Sequence, residues 1–205
     1  MLANFHTHTT FSDGKNTPEE VILFAVEYGF ESLGFSDHGY TSYDERYCMK
    51  DTLGYIKEIK RLKEKYQDKI EIYLGVEEDS RALQNRVDFD YIIGSCHYAE
   101  IKGKVYPFDS NYCYFTKVIK MFNGNALNFA ESYYKHFCEY IRTRKPDIIG
   151  HFDLLTKFDE REQDRFLSEP KYWGLAEKYT MEALKSECIN WFLTTLFIRF
   201  LKNKP

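Results

Sequence analysis

Short apolar runs alternate with longer amphipathic stretches along most of this chain. Residues 2–8 read as an opening strand, whose period of two aims positions 6 and 8 at one face. Residues 18–29 carry Val21, Ile22, Phe24, Ala25 and Tyr28 on helical spacing, led in by Thr17-Pro18-Glu19-Glu20 and stopped by Gly29. Ser32–Ser36 is a short buried strand, and residues 51–66 form a charged helix with Leu53, Ile56, Ile59 and Leu62 as its inward stripe. Ile70–Val76 and Tyr91–Ser95 are two more strands. Residues 99–114 read as irregular or as a small hairpin, and helices over 115–122 and 127–143 are separated by Asn123-Gly124-Asn125. Pro146–Gly150 is a fifth strand, and a last helix covers 172–186. Strands apolar on both faces, alternating with helices, predict an α/β protein with a mainly parallel sheet or barrel.

Composition narrows the setting more than the fold. A chain of 205 residues makes one large domain or two small ones. A net charge of −4 creates no field that favours nucleic acid or an anionic membrane. The five cysteines, Cys48, Cys96, Cys113, Cys138 and Cys188, never form a C-x-x-C pair, which argues for reduced thiols in a cytoplasmic protein. The N-terminus shows no basic region followed by an apolar run, so no secretory signal is expected. The 17 Tyr and 17 Phe are read as packing.

Chemistry enters at the strand ends. The first strand runs into Phe5-His6-Thr7-His8-Thr9-Thr10-Phe11-Ser12-Asp13-Gly14, with two imidazoles on one face and a carboxylate in the turn behind them. His-x-His alone is a weak signal that arises by chance more often than as a ligand pair. The other strands repeat it: they end at Asp37-His38, Glu77, Cys96-His97 and His151. Of six histidines in the chain, only His136 falls inside a predicted helix, where it is read as a surface or packing residue. One strand-end histidine is often a core residue bonded to backbone. Five of them at strand mouths call for a cation. Imidazole with carboxylate suits Zn²⁺, Mn²⁺ or Fe²⁺ better than Ca²⁺ or Mg²⁺. The ligands outnumber the needs of one tetrahedral ion, so two or three ions are expected, with Glu77 able to bridge. Clustered ions suit in-line hydrolysis of a phosphate ester, and no glycine-rich phosphate loop competes with that reading.

The ordered motifs His6-x-His8 with Asp13, Ser36-Asp37-His38-Gly39, Gly75-Val76-Glu77, Gly94-Ser95-Cys96-His97 and Gly150-His151-Phe152-Asp153 resemble those of the polymerase-and-histidinol-phosphatase (PHP) superfamily. The runs Ile93–His97 and Ile149–Phe158 resemble its histidinol-phosphatase branch. The resemblance implies a distorted (β/α)₇ barrel with a trinuclear metal centre. His6, His8 and Glu77 would hold the first ion; Glu77, His97 and His151 the second; Asp13 and His38 part of the third. It implies catalytic roles for Glu77, His97 and Asp37, with Asp37 orienting a neighbouring imidazole; the alternative for Asp37 is a cap for the turn at Gly39. Lys157 and Arg81 are candidate phosphate contacts, and Asp153 either accepts a hydrogen bond from His151 or caps a turn. The implied reaction is hydrolysis of L-histidinol phosphate to L-histidinol in histidine biosynthesis. An inactive remnant, or a PHP phosphoesterase acting on another small phosphate ester, are the alternatives.

The resemblance stops near residue 187. The family pattern calls for a further strand, a helix and a closing Asp-x-His motif, whereas no Asp or His follows Asp164. The expectation is therefore a C-terminally truncated barrel over 1–187 and a divergent apolar tail over 188–205. The tail reads as the out-of-frame end of a frameshifted gene or as a short helix over the barrel's open end. Its apolar run, residues 189–201, is too short to span a bilayer. An open barrel edge would offer a surface for oligomerisation.

Overall fold

The computed structural model describes residues 2–159 and 166–185, and the backbone alone of Trp191–Phe192. The chain divides into two compact units between Ile93 and Gly94.

Unit 1 begins with strand β1 (Ala3–Asn4), helix α1 (Pro18–Glu27), strand β2 (Ser32–Phe35), helix α2 (Thr52–Tyr66) and strand β3 (Glu71–Asp79). β1, β2 and β3 pair in parallel, with Ala3 opposite Ser32 and Ser32 opposite Glu71. A parallel pair needs a crossover, and α1 and α2 supply the two here. The capping box explains where α1 starts: Thr17 accepts from the Glu20 amide, and the Glu20 carboxylate accepts from the Thr17 amide at 2.8 Å. Asp51 caps α2 by accepting from the Gly54 amide. One apolar cluster joins Ile22, Leu33, Phe35, Tyr55, Ile59, Leu62, Ile72, Leu74 and Ile92.

The α2 stripe differs from the expected one. Tyr55, Ile59, Leu62 and Tyr66 are its buried residues, and Leu53 is 81% exposed. Leu53 lies in the first turn, and the buried face runs through the two tyrosines. The apolar stripe drawn from aliphatic residues alone is therefore rotated off the buried one. β3 also runs three residues beyond the expected Val76, so Glu77 sits inside a strand.

Strand β4 (Tyr91–Ser95) straddles the unit boundary. Unit 2 continues with strands β5 (Tyr98–Ile101) and β6 (Lys104–Pro107), helices α3 (Tyr112–Met121) and α4 (Ala126–Arg144), strand β7 (Ile148–Ile149) and helix α5 (Pro170–Lys185). The stretch left open as irregular or hairpin is the antiparallel β5–β6 hairpin. Its two-residue turn has φ of 52° at Lys102 and 74° at Gly103, the positive angles that a type I′ turn demands. Asn111 and Asn125 cap α3 and α4. Aromatic rings from Phe108, Phe115, Phe129, Tyr134, Phe137, Phe152 and Tyr172 fill the core of this unit. The Gly150 amide donates to the Gly94 carbonyl at 2.9 Å, and β7 pairs in parallel with β8 (Trp191–Phe192). The rest of the tail expected from residue 188, and Cys188 with it, lies outside the described residues. No helix among the described residues is long and apolar enough to cross a membrane.

The corrected α2 face gives a direct test. Ile59→Ala is expected to lower unfolding free energy by about 2–5 kcal/mol, and Leu53→Ala by less than about 0.5 kcal/mol. Equilibrium urea denaturation reads both, and equal losses would refute the assigned face.

Candidate metal centre

The β1 ladder stops at Asn4, yet the alternation of the chain continues beyond it. The Ser36 amide donates to the Thr7 carbonyl at 2.9 Å, and the Thr7 amide donates to Ser36 Oγ at 2.9 Å. His6 and His8 flank Thr7 and both reach Glu77, as the period of two predicts. β2 and β3 likewise remain paired past Phe35: the Glu77 amide donates to the Asp37 carbonyl and the Gly39 amide to the Glu77 carbonyl. His38 and Glu77 thus stand side by side on neighbouring strands.

The Glu77 carboxylate, 1% exposed, receives three imidazoles on one oxygen. His6 Nε2, His8 Nε2 and His38 Nδ1 each lie 3.1 Å from Oε2. Asp13 Oδ1 lies 3.2 Å from His8 Nδ1 and 3.9 Å from His38 Nε2. His8 and His38 are therefore each held between two carboxylates through opposite ring nitrogens. Their rings meet edge to face at 4.3 Å, and Tyr47 packs edgewise on His38 at 4.8 Å.

Burial works to lower the His8 pKa, but hydrogen bonds to Asp13 and Glu77 and the charges of both outweigh it and raise it from 6.5 to about 10. The hydrogen bond with His8 in turn lowers Asp13 below the ordinary carboxylate range. The donor set fits a divalent cation. Vertices of a tetrahedral zinc site with bonds of about 2.1 Å lie roughly 3.4 Å apart, close to the 3.1–3.2 Å separations around Glu77 and His8. His8, Asp13 and His38 each offer one ligand atom within 4.8 Å of the others. Imidazole and carboxylate together suit a transition-series divalent ion.

Asp37 has a different part from the one expected. Its Oδ1 accepts from the Thr9 amide at 2.7 Å, the Ser12 amide at 3.1 Å and Ser12 Oγ at 2.6 Å, while Oδ2 accepts from Thr9 Oγ1 at 2.9 Å. It neither orients an imidazole nor caps the turn at Gly39. It fastens the loop that leads to Asp13. Nothing local marks Thr9, Ser12 and Ser36 for this work; the one available signal is their small hydroxylic side chains beside the histidines. Arg81 follows β3, where its amide donates to Asp79 Oδ1.

In unit 2, His97 is buried just beyond β4 and His151 half-buried just beyond β7, with ring centroids 5.0 Å apart. The Asp153 carbonyl accepts from the Thr156 amide and hydroxyl, so its backbone caps the 3₁₀ turn Leu154–Thr156. Lys157 Nζ donates to the Asp109 carbonyl at 2.9 Å and lies 3.4 Å from Asp109 Oδ2. His136 lies on α4, away from any strand end.

Imidazoles and carboxylates gathered just past parallel strands define a candidate centre for divalent metal. The PHP domain matches residues 4–187, and the chain belongs to that family. A relative from Schizosaccharomyces pombe named "Probable histidinol-phosphatase" is 26% identical over 183 residues, covering 78% of this chain. The chain spans only 58% of that relative's length. The hisK crystal structure from Listeria monocytogenes superposes with a TM-score of 0.71 at 21% identity, over 89% of this chain and 79% of its own. A histidinol phosphate phosphatase from Lactococcus lactis, crystallised with zinc, L-histidinol and phosphate, superposes with a TM-score of 0.59 at 18% identity, over 94% and 83%. The fold is the one these structures share.

The raised His8 pKa carries a pH signature. Its folded-state value of about 10 lies above the ordinary 6.5, so the protonated pair stabilises the metal-free fold fully below 6.5 and stops doing so as pH rises through 10. A cation must displace that proton, so affinity runs the other way. Zn²⁺ affinity measured by chelator competition is expected to rise about tenfold per pH unit between about pH 7 and 9. A flat profile would refute a proton held on His8 up to about pH 10.

Proposed function

We propose that this chain carries the site of a metal-dependent phosphomonoesterase and that the substrate is L-histidinol phosphate, released as L-histidinol and inorganic phosphate. The observation that carries the reading is the meeting of His6, His8 and His38 on one buried oxygen of Glu77, with Asp13 on the far side of two of the rings. The names of the S. pombe relative and the L. lactis neighbour, and the ligands of the latter, support the substrate.

On this reading the chain would hold two or three divalent ions, Zn²⁺, Mn²⁺ or Fe²⁺; His6, His8, Asp13, His38 and Glu77 are the ligands proposed within unit 1, and His97 and His151 those proposed within unit 2. Such ions supply a water acidic enough to attack at neutral pH and positive charge for the phosphoryl oxygens. The chain's own groups do the rest. Glu77 supplies fixed negative charge where the imidazoles converge, and His97 joins it among the catalytic residues. Asp37 keeps the Asp13 loop in place by holding Thr9 and Ser12. Arg81 and Lys157 are the proposed phosphate contacts, Lys157 from a position anchored on Asp109. The cytoplasm is the proposed setting, since Cys48, Cys96 and Cys138 are buried thiols outside any disulfide.

Phosphate release from L-histidinol phosphate with added Zn²⁺ or Mn²⁺ tests the reading. Glu77→Gln is expected to lower kcat by more than about 100-fold. Turnover no greater than this variant's would exclude the activity, and turnover confined to other phosphate esters would exclude the substrate. Arg81→Ala and Lys157→Ala are expected to raise KM with kcat nearly unchanged, the pattern of lost ground-state binding. An unchanged KM removes either residue from the phosphate site.

A further inference from the structure

Tyr91 is the first residue of β4, and its side chain enters the space beneath the segments that carry His6, His8 and His38. Its hydroxyl oxygen lies 2.7 Å from the Phe5 carbonyl and 3.0 Å from the Phe35 carbonyl. Phe5 immediately precedes His6, and Phe35 lies three residues before His38. The single hydroxyl proton is thus shared between the last carbonyl ahead of one ligand-bearing segment and the last β2 carbonyl ahead of the other. The backbone is built around this ring. A Cβ at Gly34 would come within 2.4 Å of the Tyr91 oxygen, and one at Gly75 within 2.2 Å of its ring, so only glycine leaves the space the tyrosine fills. Phe5 packs edge-on against the same ring with centroids 5.7 Å apart. Burial raises the phenol well above its ordinary pKa, so it remains a neutral donor.

We propose that Tyr91 is a positioning residue for the metal centre, its hydroxyl fixing the separation of the His6–His8 segment from the His38 segment. The inference rests on the metal-centre reading but not on the identity of the substrate. The reason is mechanical. β1 ends at Asn4, and past it the first segment is held to the second by the Ser36–Thr7 and Asp37–Thr9 bonds. Tyr91 fixes the near end of that stretch, from which both histidines are cantilevered. A buried or half-buried carbonyl that loses its donor is left short of a partner, and a shift of the segment is the expected response.

Tyr91→Phe keeps the ring and removes only the proton. Tyr134→Phe makes the same change in the core of unit 2, where the hydroxyl meets that of Tyr172 at 2.8 Å. Each purified variant is titrated with Co²⁺, following the visible ligand-field spectrum, at a urea-free temperature where both are fully folded. Tyr91→Phe is expected to weaken Co²⁺ binding by about tenfold and to alter the band at saturation, whereas Tyr134→Phe leaves both as in the unaltered chain. Matching affinity and spectrum in the two variants would overturn the proposal. Should the unaltered chain take up no Co²⁺, the metal-centre reading fails. The NMR positions of the His6 and His8 ring Hε1 protons then decide the geometry alone: displacement in Tyr91→Phe supports the positioning role, and unchanged resonances overturn it.

Discussion

A carboxylate buried within a strand is the constraint to which unit 1 answers. Leaving the charge of Glu77 uncompensated there would cost several kcal/mol, and the imidazoles of His6, His8 and His38 stand 3.1 Å from its Oε2. The parallel bridge between His38 and Glu77 sets their backbones side by side. Asp13 adds the second negative group, and the high His8 pKa is the electrostatic trace of sitting between two carboxylates. The same arrangement that makes a protonated His8 favourable makes a divalent cation more favourable still, because it offers two charges where the proton offers one.

Holding such a cluster requires a backbone that is irregular yet fixed. β1 contributes only two ladder residues, so the groups from Phe5 to Ser12 need other hydrogen-bond partners. Besides backbone bonds such as that from the Ser36 amide to the Thr7 carbonyl, side chains supply them: Tyr91 at Phe5, Ser36 at Thr7, and Asp37 at Thr9 and Ser12. Residues facing Glu77 carry the chemistry, and the alternate residues between them carry the fastenings. Strand alternation thus divides ligand from anchor within one short segment.

Much of this was legible in the chain. Apolar runs and their turn residues located the strands, and five histidines at strand mouths pointed to a cation before any geometry was known. The positions of Glu77, His6 and His8 at strand ends were read from the chain, and the structure brings both imidazoles to 3.1 Å from Glu77 Oε2. The errors have physical causes. The α2 stripe was drawn through Leu53, but aromatic rings at Tyr55 and Tyr66 decide the buried face. Asp37 was expected to serve an imidazole because histidine is its neighbour, whereas its partners come from 25 and 28 positions away. Tyr91 opens an apolar strand run and reads as ordinary packing. Its meaning lies in the close approach of Gly34 and Gly75, which no local pattern encodes.

The contact between Tyr91 and Phe5 joins residues 86 positions apart. Contacts of long sequence separation bring a chain-closure penalty and form slowly. During synthesis the histidines of the first segment emerge early, and the tyrosine that braces them leaves the ribosome only after α1, α2 and β3. Until then, the Phe5 carbonyl lacks the hydroxyl that it bonds in the folded unit. Assembly of the cluster is therefore a late event in the life of the nascent unit, and early metal would meet loose ligands rather than a finished site.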